Sequence, residues 1–231
     1  MVVEVVPREV IHAHKVIMVI SDFRDSTSRT SNEDRILKEK NRCTWPGTEP
    51  IYIKYHDQEW GVPVHNDRKL FEFLVLEGAQ AGLSWITVLK KRAAYKQAFD
   101  NFNYTKIAAY DERKVRQLLN NPGIIRNELK IRSAVRNARA FIKVRDEFGT
   151  FDRYIWQFVD GKPIQNSRRS MKSLPARTSL SDKISKDLKQ RGFNFVGSTI
   201  MYAHMQATGM INDHFTSCFR FEEVKRLGQP R

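Results

Sequence analysis

Residues 120–143 read NNPGIIRNELKIRSAVRNARAFIK. Beyond the Pro122–Gly123 pair, Ile131, Val135, Ala138 and Ile142 recur at helical spacing and share one face, while Arg132, Arg136, Arg139 and Lys143 share another. A helix so patterned packs on one side and is basic on the other; a solvated amphipathic helix after an ordinary turn has the same pattern. Upstream, KLFEFLVLEGAQ at 69–80 is apolar on nearly every side, as in a helix buried within a bundle. Helical patterning recurs near 93–99, 111–120, 129–147, 151–158, 181–191 and 197–208, with little strand-like alternation. The expected fold is therefore all-α, a helical bundle without internal repeats.

The chain has 231 residues, enough for one domain with a sizeable core. Forty Lys and Arg against 26 Asp and Glu leave a net charge of +14, which points to a polyanionic partner, nucleic acid first among several. With two cysteines there is no disulfide framework of the secreted kind. The apolar run at 16–20 is too short to span a membrane, and Pro7, Arg8, Glu9, His12 and His14 break any signal-peptide pattern. A cytoplasmic protein with no membrane partner is expected. Residues 21–41 are almost wholly polar and cannot order themselves by burial. The expected organisation is a poorly ordered extension over 1–40, with short strands conceivable at 2–6 and 16–20, a domain over 41–222 and a tail over 223–231.

Three constellations carry chemistry. Cys43 and His56 stand 13 positions apart near the start of the domain, and His214 and Cys218 four apart near its end. Two sulfurs and two imidazoles can close a tetrahedral Zn2+ site with no position left for a reacting water, although each pair alone fits ordinary core or surface side chains. In LEGAQAGLSWITVLKKR, Glu77 follows Leu70 by seven and Leu74 by three, so a carboxylate lies on an apolar face and needs a partner or a ligand. Trp45, Tyr52, Tyr55 and Trp85 offer aromatic faces of the kind that sandwich an extruded base, or simply core packing. Third, the Pro-Gly turn before the basic helix resembles the helix-hairpin-helix element of DNA repair enzymes, in which backbone N–H groups approach a phosphate.

Taken in order, RCTWPGTEPIYIKYHDQEWGVP, KLFEFLVLEGAQAGLSWITVLKKR, NNPGIIRNELKIRSAVRNARAF, KQRGFNFVGSTIMYAHMQATGMINDH and HFTSC closely resemble the DNA-3-methyladenine glycosylase I family of the helix-hairpin-helix glycosylase superfamily. The likeness runs from about Arg42 to Phe219 and is silent about the first 41 residues. It implies a monomeric enzyme that flips 3-methyladenine out of double-stranded DNA containing alkylated purines and hydrolyses its N-glycosidic bond. By the same resemblance Glu77 and Tyr55 are catalytic, Trp45, Tyr52 and Trp85 bind the base, and Gly82 and Leu83 form the wedge that fills the vacated space. Gly123, Arg126 and Lys130 hold the DNA backbone, and Cys43, His56, His214 and Cys218 bind one structural Zn2+ per chain.

The superfamily usually carries a catalytic Asp in a Val-Asp context after the second hairpin helix, and no such element is found here; Asp146, in KVRDEFG, is not assigned that role. Lyase-active members carry a Lys where this chain has Asn127, so no amine is available for a Schiff base, and a monofunctional enzyme without strand cleavage is expected. A DNA-binding module that lost its chemistry would not require Glu77 and the aromatic set. A zinc-organised RNA-binding or ribosome-associated protein would leave Glu77 unexplained.

Overall fold

The computed structural model describes residues 40–229; the short strands considered at 2–6 and 16–20 lie outside them. Ten α-helices occur among the described residues: α1 (Pro50–Gln58), α2 (Asp67–Gln80), α3 (Trp85–Ala98), α4 (Tyr104–Ala108), α5 (Glu112–Leu119), α6 (Glu128–Phe148), α7 (Phe151–Trp156), α8 (Ser179–Gln190), α9 (Ser198–Ala207) and α10 (Arg220–Leu227). Two two-residue strands, β1 (Ile164–Gln165) and β2 (Ile211–Asn212), pair in parallel with Ile164 opposite Ile211. The mostly helical architecture is the one expected, and this small pair is the exception to it.

α2 is the central element. Asn66 caps it by accepting from the Lys69 amide, and nine of its residues, from Leu70 to Ala79, are buried against α3, α6, α7 and α9. α6 runs 21 residues from an Asn127 cap to Gly149, whose φ of 83° ends it. Ile131, Val135 and Ala138 are buried, Ile142 is half-buried, and Arg132, Arg136, Arg139 and Lys143 are exposed. The buried side of α6 is wider than that stripe, because Ala134, Ala140, Phe141 and Val144 also pack inward. Phe141 stacks on Phe151 at 4.2 Å and meets Phe71 at 5.1 Å, joining α6, α7 and α2 in one aromatic seam. Burying each such ring contributes about 1.5–3 kcal/mol.

Four helices differ from the sequence reading, one of them the five-residue α4, for which no helix was expected. α3 begins at Trp85, eight residues before the expected start, because the β-branched run Ile86, Thr87, Val88 obscures a helix that packing on α1 and α2 supports. α1 was not expected, although Pro50 at its first turn is a helix-start signal. α10 runs across the boundary expected at residue 222 and buries Val224 completely, so a helix of mostly charged residues is held by one fully buried apolar anchor.

Candidate active site and metal centre

The two ends of the described chain meet beside α1. Asn41 accepts from the Phe219 amide at 2.8 Å and donates through Nδ2 to the Ser217 carbonyl at 2.7 Å. This brings Cys43 and His56 to His214 and Cys218, all four buried, with ligand atoms within 4.8 Å of one another. Cys43 Sγ lies 3.7 Å from His214 Nδ1, and Cys218 Sγ lies 3.5 Å from His56 Nε2 and 3.6 Å from His214 Nδ1. An ion bound tetrahedrally, with bonds of about 2.3 Å to sulfur and about 2.0 Å to nitrogen, sets sulfur and nitrogen about 3.6 Å apart. The three sulfur–nitrogen distances match that spacing, so the four residues could hold a metal ion.

The surroundings fix which ring nitrogens face the centre. His56 Nδ1 is 2.8 Å from Asp57 Oδ1, leaving Nε2 for a metal, and His214 Nε2 is 3.0 Å from the Trp60 carbonyl, leaving Nδ1. Such partners orient and strengthen a ligating imidazole. Asp57 is itself clamped by Arg42, with Nε 2.9 Å from Oδ1 and Nη2 2.7 Å from Oδ2. The Cys218 thiol is held far below its ordinary range, first by a hydrogen bond from Cys43 and then by both imidazoles, which favours the thiolate a metal needs. Preceding His214, Asp213 is buried and accepts from Asn166 Nδ2, Arg168 Nε, Tyr202 Oη and Gln206 Nε2. Sequence reasoning missed Asp57, Arg42 and Asp213. The HD pairs at 56–57 and, reversed, 213–214 were the available signal.

Next to this centre is an aromatic nest. Trp45 meets Tyr52 at 4.9 Å and Tyr55 at 6.3 Å, and Tyr55 meets Trp85 at 5.5 Å. The other edge of Trp45 contacts the His56 ring at 5.2 Å, so the nest and the metal site share a wall. Glu77, 4% exposed, comes from α2. Its carboxylate makes no hydrogen bond or ion pair with any described residue, and burial pushes it up to about 8. Tyr52 is raised to about 12, by burial first and then by the charge of Glu77, and burial followed by the same charge holds Tyr55 well above its ordinary value. The indole Nε1 groups of Trp45 and Trp85 are also buried without a partner. A buried acceptor and two buried donors without partners among the described residues are groups that the polar edge of a ligand would satisfy.

α2 and α3 are joined by the loop 81–84. Gly82 adopts φ 77°, a conformation that costs a side chain about 1 kcal/mol or more, and lifts Leu83 into solvent at 42% exposure. The same loop is thus flanked by Glu77 on one side and Trp85 on the other.

The turn between α5 and α6 differs in detail from expectation. The Gly123 amide is turned inward to Asn121 Oδ1 at 2.8 Å, and a Cβ at Gly123 would sit 2.9 Å from Ala94 Cβ, so this glycine permits close packing on α3. The amides of Arg126, Glu128 and Leu129 are the ones that bond to no described residue. Arg126 is exposed. Lys130 is half-buried with its ammonium 2.9 Å from the Ala79 carbonyl and 2.6 Å from that of Ala81. Asn127 accepts from the Lys130 amide as the α6 cap, and Asp146 is an exposed residue near the other end of α6.

The described residues thus bring a buried carboxylate without a hydrogen-bond partner among them close to a cluster of aromatic rings. The methyladenine glycosylase family model matches residues 45–221. DNA-3-methyladenine glycosylase 1 of Escherichia coli (strain K12) is 48% identical over 177 residues, which are 77% of this chain and 95% of the relative. A crystal structure of 3-methyladenine DNA glycosylase I is 50% identical, with a TM-score of 0.76 over 78% of this chain and 98% of the other. A second, of a Tyr-to-Phe variant in complex with 3-methyladenine, is 32% identical, with a TM-score of 0.76 over 78% and 97% of the two chains. The chain belongs to the methyladenine glycosylase family, and the enzyme class expected from the sequence, a hydrolase of N-glycosyl bonds, goes with it.

Proposed function

We propose that this protein removes 3-methyladenine from double-stranded DNA by extruding the damaged nucleotide and hydrolysing its N-glycosidic bond, leaving the strand intact. The observation that carries this reading is Glu77, a buried carboxylate with no partner among the described residues, inside an aromatic nest whose two indole donors are also without partners there. A base alkylated at N3 carries positive charge, and cleavage of its glycosidic bond neutralises the leaving group. The substrate is already primed, so the enzyme's work is extrusion, discrimination and the orientation of water.

In this reading Glu77 favours the charged base and accepts from its polar edge, drawing its own proton equilibrium back toward the carboxylate. Tyr55 packs beside it, Trp45, Tyr52 and Trp85 enclose the ring, and cation–π attraction adds roughly 0.5–2 kcal/mol. That increment is too small for discrimination, which falls mainly to Glu77 and the shape of the nest. α5, the turn and α6 act as the helix-hairpin-helix, gripping phosphates through the free amides at the α6 N-terminus and through Arg126. Leu83, lifted by Gly82, fills the gap in the base stack. Asn127 offers no amine, so the abasic strand is released uncut.

Cys43, His56, His214 and Cys218 would hold one zinc ion, in a role that is structural because four protein ligands leave no place for water. The working unit is a monomer whose domain starts near residue 41 and takes in α10, with no membrane partner; among the described residues no helix is long and apolar enough to cross a membrane. Incubating the purified protein with methylated DNA tests the proposal: free 3-methyladenine should appear over an intact strand, and DNA binding without base release would sink it.

A further inference from the structure

Lys130 occupies the first turn of α6, where a lysine beside a phosphate-binding turn reads as a phosphate contact. Its side chain is committed elsewhere. Nζ donates to the carbonyls of Ala79 and Ala81, the last turn and the cap of α2, and no carboxylate among the described residues pairs with it. α2 has no basic residue in its own last turn, so Lys130 supplies the cation that its open carbonyls and dipole favour. The backbone of Lys130 is fixed in turn by Asn127 Oδ1 at 3.1 Å. A second lysine makes the reciprocal tie: Lys91 of α3 donates to the Pro122 carbonyl in the turn, at 2.9 Å. Both helices that flank the loop 81–84 are therefore tied to the same turn, and between those ties stands exposed Leu83.

We propose that Lys130 is a positioning residue: it locks the loop 81–84 to the phosphate-gripping turn, so that seating the turn on the DNA backbone and inserting Leu83 are one rigid movement. This rests on the wedge and hairpin roles proposed above. Within the loop the Leu83 amide donates to the Gln80 carbonyl at 2.6 Å and the Ala81 amide to the Gly78 carbonyl at 3.4 Å, while Ser84 is tied to Thr87 of α3 through its carbonyl at 3.1 Å and its hydroxyl at 2.8 Å. Without the ammonium, the carbonyls of Ala79, in the last turn of α2, and of Ala81, next to Gly82, lose that partner and the loop can swing independently of the turn.

The test compares Lys130→Met, which keeps the apolar stem, with Lys130→Arg, which keeps charge and donors. Each is measured for single-turnover excision from duplex, for the fluorescence response of 2-aminopurine beside an abasic analogue, and for affinity to undamaged duplex against salt. Lys130→Met should lower excision and the 2-aminopurine response about tenfold, the scale of losing a hydrogen bond to a charged group, with salt dependence unchanged. Lys130→Arg should restore most of the loss. In a Leu83→Ala background Lys130→Met should add nothing, because the strut acts through the wedge. A salt slope reduced by about one phosphate contact, unchanged excision, or additive losses would overturn the proposal. If Lys130→Met lowers the melting temperature too far for assay, Lys130→Gln takes its place in the same cycle. Quenching of tryptophan fluorescence by free 3-methyladenine reports the nest separately. A wild-type protein that ignores the free base would sink the base-recognition reading, while the strut is judged on extrusion.

Discussion

Replacing Glu77 by Gln keeps size and one acceptor and removes the charge, and the fold sets the magnitude of two effects. Burial raises the carboxyl from its ordinary 4.5 to about 8. Below pH 4.5 the group is protonated folded or unfolded. As pH rises from there toward 8 the unfolded chain ionises while the folded one holds its proton, so stability falls, and above 8 the full cost is in place. At about 1.4 kcal/mol per pH unit the ceiling of that cost is about 5 kcal/mol. Glu77→Gln should therefore melt close to wild type at pH 5 and higher than wild type at pH 9, by about 5 °C or more for a domain of this size. Excision should move the other way. The variant loses a hydrogen bond to a charged base, about 1.5–3 kcal/mol, so single-turnover release of 3-methyladenine falls about tenfold to a hundredfold. Wild-type kcat/KM should rise through pH 8 and the variant's should not. Affinity for undamaged duplex, which rests on phosphate contacts, should hardly change. A melting difference independent of pH would refute the argument from burial, and undiminished excision by a stable variant would remove Glu77 from the active site.

Elemental analysis should find one zinc per chain, and Cys218→Ser should lower thermal stability more than it lowers excision in the protein that stays folded; substoichiometric metal would contradict the closed site. Deleting residues 1–40 should leave folding and excision largely intact, as circular dichroism and the release assay would report, whereas a truncated chain that fails to fold would make the extension part of the domain. Reductive trapping with borohydride on methylated duplex should capture no covalent species, since Asn127 caps α6 and offers no amine; a trapped complex would refute the monofunctional assignment.

Much of this was legible in the chain itself, for physical reasons that differ from element to element. The long period of α6 and the all-round apolarity of α2 announce helices because tertiary burial acts on both. The four residues that could hold a metal stand out since the chain has two cysteines, one 13 positions before His56 and the other four after His214. Partners that are backbone atoms leave no such mark. The Trp60 carbonyl behind His214, and the Ala79 and Ala81 carbonyls that take the Lys130 ammonium, could be any residue's. The inward turn of the Gly123 amide is equally hidden, because it depends on Asn121 and on the closeness of Ala94. α10 escaped notice since a single Val224 cannot establish a period.

Six positions of chain separate Glu77 from Leu83. If the first reads the damaged base and the second occupies its former place, the stretch between them works as a ruler, fixing how far a nucleotide must travel out of the stack before it is examined. A ruler of this kind cannot be recalibrated at one end alone: a residue inserted between them would misplace both. Trp45, Tyr52 and Tyr55 arrive from a separate part of the chain, before and within α1. Changes in which bases are accepted therefore have room to accumulate on that side of the nest, while the reach of the enzyme into the duplex stays fixed by the other.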